Sequence, residues 1–587
     1  MTESQSSQNS SLLALDVGSV NTKAHYFDVV DGKYRFLANG EALSGIGVPA
    51  GDISLGATDA LKQIEELTGR SFFHEDGSFS YGDEGEENES GTLVSTFSGG
   101  PPLKVIALGL LDGVSLESAS KLLNSSYCQV VAQFSLNERS PEKLVDAMSR
   151  EVPDLILIAG GTNRGASRSV LRMANYLTIA LELLSREQRA QILFVGNENL
   201  HTEIESLLGA LCDLHFAANI RPRLDEELLG PASELLAEIY FKIQSRRVNG
   251  LAQIQALSDG GILPTARAFG RAIRFLSHVI DYPKGMLGID LGASNTTIAA
   301  AFGGQLSLQV HPNLGMGAGL STLLEEVALP QISRWLSQAL PDSDLLDSLY
   351  NKPLSPQSLP VNEQDLAIEQ AAAREVLQLA MARSLPGLPK DVIYPLSGSP
   401  PWFDRILVSG STISRAPRAI QSLLMVLDAV QPVGIATIIL DQNNLTSALG
   451  ASAEVNPLLA VQVLESTAFT NLGTVISPVG KANAGSVILR IQIVREGEKQ
   501  DIVEVEQGKL QSIPIPLNTA VDVYVQPMQN MDVGLGPGRG GWVRRVVGGK
   551  FGLIVDARGR PLIFPGEAEA RRELLEDWQH SLSEAQY

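Results

Sequence analysis

The chain has 587 residues, of which 44% are hydrophobic and 19% are charged, and its formal net charge is −21. This length exceeds what one hydrophobic core fills, so it predicts about two to four domains. The strong negative charge argues against a general nucleic-acid binder, because such proteins are usually basic.

Signals for secretion, membrane insertion and metal binding are missing from the sequence. Residues 1–11, MTESQSSQNSS, lack the basic and apolar regions of a signal peptide and predict a disordered tail. No run approaches roughly 18 uninterrupted apolar residues, so we expect no membrane span and, by default, a cytoplasmic location. Cys128 and Cys212 have no second Cys or His at ligand spacing, which favours buried thiols over a zinc site or a disulfide.

Short apolar strands alternate with helices through the first half of the chain. LLALDV, from Leu12, predicts a buried strand, and the acidic, Gly- and Ser-rich stretch at about 74–102 predicts a solvated loop. KVIALGLL, DLILIAGGT and QILFVGN then predict three strands, each followed by a helical segment. Such alternation indicates crossover units and a largely parallel sheet.

The same order of elements restarts near residue 286 with MLGIDLGASNTTIAAAF. A long helix is predicted within NEQDLAIEQAAAREVLQLAMARS, and RILVSGSTISRAPRAIQSLLMVL predicts a strand, a loop and a helix. Beyond about residue 455, the runs SVILRIQIV, DIVEVEQ, AVDVYVQP and FGLIVDARG predict short strands. We therefore expect a separate β-rich C-terminal domain over 456–587, closed by the helix EAEARRELLEDWQHSL.

Two loops of the sequence match each other, and each follows an apolar strand. The matched positions are Asp16, Gly18, Asn21 and Thr22 in the first loop and Asp290, Gly292, Asn295 and Thr296 in the second. A third Asp-x-Gly, at Asp532, lacks the other matches and carries no weight. Four matched positions at one constant offset predict an internal duplication.

The residue types in these loops suit a clamp around phosphate groups. Asp16 and Asp290 could each hold a magnesium ion through water and orient the attacking water, and each Gly lets the backbone approach the phosphates. The candidate phosphate donors are Ser19, Asn21, Thr22 and Lys23 in the first loop and Ala293, Ser294, Asn295 and Thr296 in the second. The alternative is a pair of tight hairpin turns in which each Asp bonds its own backbone.

A third element, Ile406–Thr412, lies downstream of the second loop. Its strand ends in the small residues Ser409, Gly410 and Ser411 and leads into a helix. Small residues at such a turn let the flat base of a nucleotide lie against the backbone. Two phosphate loops followed by this turn predict a nucleotide site.

This order of elements resembles the fold shared by actin, sugar kinases and heat-shock chaperone ATPases. Within that superfamily the chain is most similar to the glutamate mutase accessory family, called MutL in that operon and unrelated to the mismatch-repair protein. The segments that carry this resemblance over residues 12–455 are DLILIAGGT at Asp154–Thr162, ANIRPRLDE at Ala218–Glu226, NLGMG at Asn313–Gly317 and the helix region Asn351–Ser384.

The resemblance implies an α/β protein with duplicated actin-like, ribonuclease H-like ATPase lobes over residues 12–284 and 285–455. It implies that the chain binds ATP or ADP with Mg²⁺, and it adds Gly160, Gly161 and Thr162 to the nucleotide-binding residues. The implied role is that of a chaperone-like accessory protein for a coenzyme-B12-dependent mutase or another client protein. We also expect self-association, and neither nucleic acid nor membrane as a partner.

The second loop departs from the family pattern at two positions. Ala293 stands where the family usually has Gly, and no second Asp follows Thr297. These departures weaken the prediction of ATP hydrolysis more than that of nucleotide binding. A non-hydrolysing actin-like scaffold or filament protein is therefore an alternative, and a small-molecule kinase is a second alternative, although the sequence offers no base for its substrate.

The C-terminal region contains a local basic run in an otherwise acidic chain. Its members are Arg539, Arg544, Arg545, Lys550, Arg558 and Arg560. One interpretation is a solvated face paired with nearby acids, and the other is a docking surface for an acidic partner.

Overall fold

The computed structural model describes residues 11–46, 51–76, 78–81, 91–135, 141–495, 498–499 and 502–582. The tail predicted for residues 1–11 lies outside these ranges except for Ser11, which is buried and whose hydroxyl accepts a hydrogen bond from Tyr81 at 2.7 Å. Residues 82–90 of the predicted acidic loop also lie outside them. That loop ends before Thr92, because the apolar run that starts there forms a strand.

The first lobe begins with the strand that carries Asp16. Its first elements are β1 Leu12–Val17, β2 Asn21–Val30, β3 Lys33–Leu43, α1 Ile53–Thr68 and β4 Thr92–Phe97. Strands β1, β2 and β3 form an antiparallel meander, whereas β4 runs parallel to β1. This register places Asp16 directly opposite Lys23.

A parallel α/β unit follows β4. Its elements are β5 Leu103–Gly109, α2 Glu117–Asn124, β6 Cys128–Ser135, α3 Pro141–Glu151, β7 Leu155–Ala159, α4 Ser167–Leu183, β8 Gln191–Phe194, α5 His201–Leu208 and β9 Leu214–Phe216. The strand order is β6-β5-β7-β8-β9, and all four pairings are parallel. The structure thus confirms the parallel sheet that the alternating elements predict. We call residues 103–216 the inserted unit, since the chain afterwards returns to the first sheet.

The return to the first lobe uses α6 Gly230–Gln244, α7 Leu251–Leu257, β10 Ile262–Pro264 and α8 Thr265–Ser277. Strand β10 pairs with β4 in parallel and completes a five-stranded sheet of order β10-β4-β1-β2-β3. Helix α8 starts directly after β10, so Thr265 lies at the edge of the sheet where β1 ends, close to Asp16.

The second lobe repeats this topology. Its elements are β11 Gly285–Leu291, β12 Asn295–Phe302, β13 Gln305–Pro312, α9 Leu320–Glu326, α10 Leu329–Ser333, α11 Asp342–Leu354, α12 Glu363–Ser384, β14 Phe403–Ser409, α13 Ser411–Ser414, α14 Ala419–Val430, β15 Gly434–Leu440, α15 Thr446–Ser452 and α16 Pro457–Leu464. The strand order β13-β12-β11-β14-β15 matches that of the first lobe, strand for strand. The predicted duplication and the ribonuclease H-like, actin-like fold class are therefore confirmed.

The C-terminal region is rich in strands, as predicted. Its elements are β16 Thr470–Ser477, β17 Val487–Arg495, β18 Glu498–Lys499, β19 Val503–Glu506, β20 Leu510–Ile513, β21 Ala520–Pro527, β22 Gly541–Val547, β23 Leu553–Asp556 and α17 Ala568–His580. Strands β16, β23 and β20 extend the second lobe's sheet to eight strands, and the others form a separate sheet. Three strands beyond the predicted domain boundary at residue 455 thus belong to the sheet of the second lobe. The boundary itself stays a prediction.

Two helices cross between the lobes and hold them together. Helix α15 of the second lobe packs against Leu12 and Ala14 of β1, and α8 of the first lobe packs against Met286 of β11. The two helices also touch each other, since a Cβ added to Gly450 would lie 1.8 Å from the carbonyl oxygen of Ala268. Within the described ranges, no helix is both long and apolar enough to span a membrane.

Part of the basic run is buried rather than exposed. The Arg558 side chain is fully buried and binds Asp556 at 2.9 Å and Asp428 at 2.7 Å. Arg560 binds the same Asp556 at 2.8 Å. Arg558 therefore links the C-terminal region to α14, and neither arginine is part of a docking surface.

Candidate functional site

The two matched loops face each other across a cleft of about 220 Å³ between the lobes. The predicted site residues that line it are Asp16, Gly18, Ser19, Asn21, Lys23, Asp290, Gly292, Ala293, Asn295, Ser409, Gly410 and Ser411. The fold thus brings together the three segments that the sequence singles out.

Each matched loop is closed by the same backbone hydrogen bond. The Gly18 amide donates to the Asn21 carbonyl at 3.0 Å, and the Gly292 amide donates to the Asn295 carbonyl, also at 3.0 Å. A Cβ on either glycine would lie 2.8 Å from that carbonyl oxygen. Glycine is therefore required for the tightness of both turns, and the backbone there is open to a ligand.

The Asp16 carboxylate is held by two hydroxyl groups from other elements. Its Oδ1 accepts from Thr96 at the end of β4 at 2.6 Å and from Thr265 at the start of α8 at 2.9 Å. The turn is a tight hairpin, as the alternative interpretation requires, but Asp16 is bound by distant side chains and not by its own backbone. One residue of β4 and one of α8 thus fix the direction of this carboxylate.

The Asp290 carboxylate has no hydrogen-bond partner among the described residues, although it lines the cleft. Burial raises the pKa of Asp290 from 3.8 to about 6; the Lys23 ammonium opposes this rise, and the carboxylates of Asp16 and Asp441 add to it. A cleft carboxylate with this pKa can both bind a cation and accept a proton near neutral pH.

Lys23 supplies a positive charge between the two carboxylates. Burial lowers the pKa of its ammonium group, while the charges of Asp16 and Asp290 oppose that shift. The equivalent position of the second loop is Thr297, which pairs with Asp290 as Lys23 pairs with Asp16. The two halves of the clamp therefore differ in charge, with the lysine on the first lobe only.

Several cleft residues escape prediction from the sequence. Arg415, after α13, forms an ion pair with Glu41 of β3, and Glu41 also accepts from the Asn21 amide at 2.6 Å. Lys352 and Glu369 line the opposite wall and form an ion pair at 3.0 Å. These groups come from four different elements, so no local pattern in the sequence could have indicated them.

Some predicted site residues do not line the cleft. Thr22 and Thr296 are buried and hydrogen-bond to Ser44 and to the Leu314 carbonyl, so they stabilise the loops. Ser294 also lies off the cleft wall. Gly160, Gly161 and Thr162 line a separate cavity, because they follow the carboxyl end of β7, the central strand of a different sheet. The geometry does not support a nucleotide contact for these three residues.

A larger cavity of about 720 Å³ adjoins the cleft beside α12 and shares Arg415 with it. Its walls carry six carboxamides, from Gln338, Asn362, Gln364, Gln370, Gln421 and Gln579. Gln370 is only 8% exposed, and its Nε2 has no partner in the described part of the chain. Gln579 belongs to α17, so the C-terminal helix forms part of this wall.

The cleft suits a magnesium ion that is held partly by protein carboxylates and partly by the phosphates of a bound nucleotide. No group of three or more acidic, His or Cys side chains is placed to hold a metal in the described ranges. Magnesium usually takes one or two carboxylates, several waters and substrate phosphates. Asp16 and Asp290 are the oxygen donors that fit this set, and the two glycine turns line the same cleft.

The chain is similar to one protein family and, distantly, to several solved structures. A nucleotide-free acetone carboxylase has a TM-score of 0.32 and 12% identity, and the match covers 85% of this chain and 81% of that one. The Acidaminococcus fermentans (R)-2-hydroxyglutaryl-CoA dehydratase component A has a TM-score of 0.27 and 10% identity, with 77% of this chain and 99% of that one covered. A glycerol dehydratase reactivase has a TM-score of 0.27 and 10% identity, with 72% of this chain and 95% of that one covered. No curated protein matches the chain. At such low TM-scores, the family assignment depends on sequence. The sequence model of the MutL protein family matches residues 12–468, and the chain therefore belongs to that family.

Proposed function

We propose that the chain binds a magnesium–nucleoside triphosphate between the matched loops, with ATP as the nucleotide that the family resemblance implies. The observation that carries this proposal is the pair of identical glycine turns that present Asp16, Lys23 and Asp290 to one cleft. A triphosphate brings several negative charges, which Lys23 and a bound magnesium ion would neutralise.

The adjoining cavity, rather than the Ser409–Ser411 turn predicted for this role, would take the base, since that turn lines the cleft beside the two loops. Carboxamides donate and accept hydrogen bonds without carrying charge, which suits the edge of a base better than a phosphate. The unpaired Nε2 of Gln370 needs an acceptor, and a ring nitrogen or carbonyl of the base would supply one. We expect Gln370→Leu to weaken ATP binding about tenfold and to leave inorganic tripolyphosphate binding unchanged, as calorimetry would measure.

Hydrolysis would divide the work between the two aspartates. Asp16, which accepts hydrogen bonds from Thr96 and Thr265, would hold the metal ion. Asp290 would accept a proton from the attacking water, whose oxygen bonds to the γ-phosphorus while the bond to the β-phosphate oxygen breaks and ADP leaves. Both carboxylates are needed, because one would hold the metal ion that neutralises the phosphate charge and the other would position the attacking water.

A phosphate-release assay tests this function. We expect ATP-dependent release by the wild type and a loss of about 100-fold or more in Asp16→Ala and Asp290→Asn. Asp532→Asn is the matched control, since Asp532 also belongs to an Asp-x-Gly sequence but lies outside the cleft. Equal release by all four proteins would show that the activity does not come from this site.

The family membership supports a role as an accessory protein for a coenzyme-B12-dependent mutase. Two lobes that close on a nucleotide and reopen afterwards would couple nucleotide state to the grip on a client. Affinity capture with the chain as bait, in ATP and in ADP, should recover a cobalamin enzyme subunit in amounts that differ between the two nucleotides. Recovery that is the same in both would contradict nucleotide control of the client.

A non-hydrolysing scaffold is a second candidate, and the second loop favours it. The Ala293 carbonyl accepts from the amides of Gly317 at 2.7 Å and Gly319 at 3.4 Å, so the position that departs from the family is tied to a neighbouring loop. Tight ATP binding without turnover, together with nucleotide-dependent self-association in light scattering, would favour the scaffold over the ATPase.

A further inference from the structure

The sheet of the inserted unit has a cavity at the point where the order of its strands reverses. After β5 the chain adds β6 on one side and then β7 on the other, so the loops that follow β5 and β7 diverge. In open parallel sheets, ligands bind in the crevice at the carboxyl ends of the strands where this reversal occurs. A cavity of about 180 Å³ lies there, between Leu110 and Leu111 after β5 and Gly160–Thr162 after β7.

The walls of this cavity are rigid before any ligand binds. The Asn219 amide donates to the Gly161 carbonyl at 2.9 Å, and the Asn197 amide donates to the Gly165 carbonyl at 3.1 Å. The Ser115 hydroxyl accepts from the amides of Leu110 at 2.8 Å and Leu111 at 2.9 Å. Such hydrogen bonds preorganise a binding site, because they fix the loops independently of the ligand.

A π-helical turn, Asp112–Leu116, forms one side of the cavity and contributes Val114 and Ser115. The π-helix is rare in proteins and occurs frequently at functional sites. This turn begins three residues after the last residue of β5, so it follows the strand that forms one side of the crevice. This is a second feature, independent of the strand order, that sets the position apart.

The lining favours an uncharged ligand. Leu110, Leu111, Val114 and Leu224 line the cavity, and Leu111 and Leu224 are 53% and 69% exposed. The cation in the wall, Arg221, is already paired with Glu227 at 3.2 Å and donates to the Leu224 carbonyl at 3.1 Å. Glu227 therefore already neutralises the charge of Arg221, and an anionic ligand would gain little binding energy from this arginine.

We propose that this crevice is a second binding site, separate from the nucleotide cleft, for a small neutral ring system of one or two fused rings. The cavity shares no lining residue with the cleft, and its volume and apolar walls suit a ring rather than a triphosphate. The Thr162 hydroxyl at the rim would offer one hydrogen bond to a ring nitrogen or hydroxyl group. The inference does not depend on nucleotide binding.

Indole binding to the full chain, measured by calorimetry and saturation-transfer NMR, tests the site. We expect a Kd at or below about 1 mM for the wild type, as a ring of about nine heavy atoms can reach. Leu224→Arg should weaken binding at least about tenfold by placing a charge at the entrance. Leu183→Arg is the matched control, because Leu183, at the end of α4, is equally exposed, at 68%, and does not line the cavity.

A second variant and a second probe separate the remaining outcomes. Val114→Trp fills the cavity from its half-buried wall and should also abolish binding, with an unchanged far-ultraviolet circular dichroism melt as the check on folding. No indole binding up to about 10 mM, or equal weakening by Leu224→Arg and Leu183→Arg, would overturn the site. Tighter binding of indole-3-acetate than of indole would contradict the proposal that the ligand is uncharged, because indole-3-acetate carries a carboxylate.

Discussion

The Asp290 carboxyl makes the stability of the ligand-free protein depend on pH. Its pKa is raised from 3.8 to about 6, so its stabilising contribution is full below pH 4 and is lost as the pH rises through 6. We therefore expect Asp290→Asn to melt at a higher temperature than the wild type above pH 6, and the two melting temperatures to converge near pH 4. Differential scanning calorimetry across this range, with the exposed Asp347→Asn as control, measures the difference.

Arg558 is the residue whose loss should most affect folding of the C-terminal region. Its guanidinium holds the pKa of Asp556 well below the usual range, and it also pairs with Asp428, so Arg558→Met leaves two buried carboxylates without this partner. We expect the free energy of unfolding to fall by roughly 3–5 kcal/mol. Arg544→Met, which removes the exposed pair with Asp522, should cost at most about 1 kcal/mol in the same urea titration.

At the scale of elements, the contact between α8 and α15 decides how the lobes meet. Because a Cβ at Gly450 would lie 1.8 Å from the Ala268 carbonyl oxygen, Gly450→Ala must push the two helices apart. We expect a loss of roughly 1–3 kcal/mol in the free energy of unfolding. Gly230→Ala is the control: its Cβ would meet open space in α6, and it should stabilise the protein by up to about 1 kcal/mol. Equal effects of the two changes would contradict the close approach.

The elements also show which predictions a local pattern supports. The alternating strands and helices of the inserted unit predict its parallel sheet correctly, since apolar runs of that length and spacing leave few other pairings. The basic run gives a weaker prediction, because a list of arginines does not say which of them point inward. Arg558 is fully buried, whereas the Arg544 side chain is 64% exposed.

At the scale of the whole molecule, the ion pair between Glu41 and Arg415 joins the lobes across the cleft. The Arg415 side chain is 51% exposed, so the pair contributes at most about 1 kcal/mol. We expect Glu41→Ala to speed nucleotide dissociation by up to about fivefold with little change in the association rate, in a stopped-flow displacement assay. Slower dissociation would mean that Glu41 repels the nucleotide rather than holding the cleft closed.

The inserted unit is linked to the cleft as well. The Tyr127 hydroxyl, just before β6, accepts from the Ala266 amide at 2.9 Å, one residue after the Thr265 that holds Asp16. The Asn313 amide donates to Gln129 of β6 at 3.2 Å from the end of β13. The two lobes and the inserted unit thus meet at the base of the cleft.

Four expectations from the sequence stay predictions. They are the domain boundaries at residues 284 and 455, the cytoplasmic location and self-association.

The sequence alone determines the two loops and their repeat. The hydrogen bond that closes each loop joins residues three apart, Gly18 to Asn21 and Gly292 to Asn295, so the necessary chemistry lies within a few consecutive positions. The fold class follows for the same reason, since strand and helix periods are local properties of the chain.

Only the tertiary structure decides what surrounds those loops. Asp16 is held by Thr96 and Thr265, which are 80 and 249 residues away, and the cleft is bridged by Glu41 and Arg415 from different lobes. The family resemblance implies that Gly160–Thr162 binds nucleotide, yet the sheet that carries this turn places it at another cavity. Contacts between distant segments depend on how whole sheets pack, and no short stretch of sequence encodes that packing.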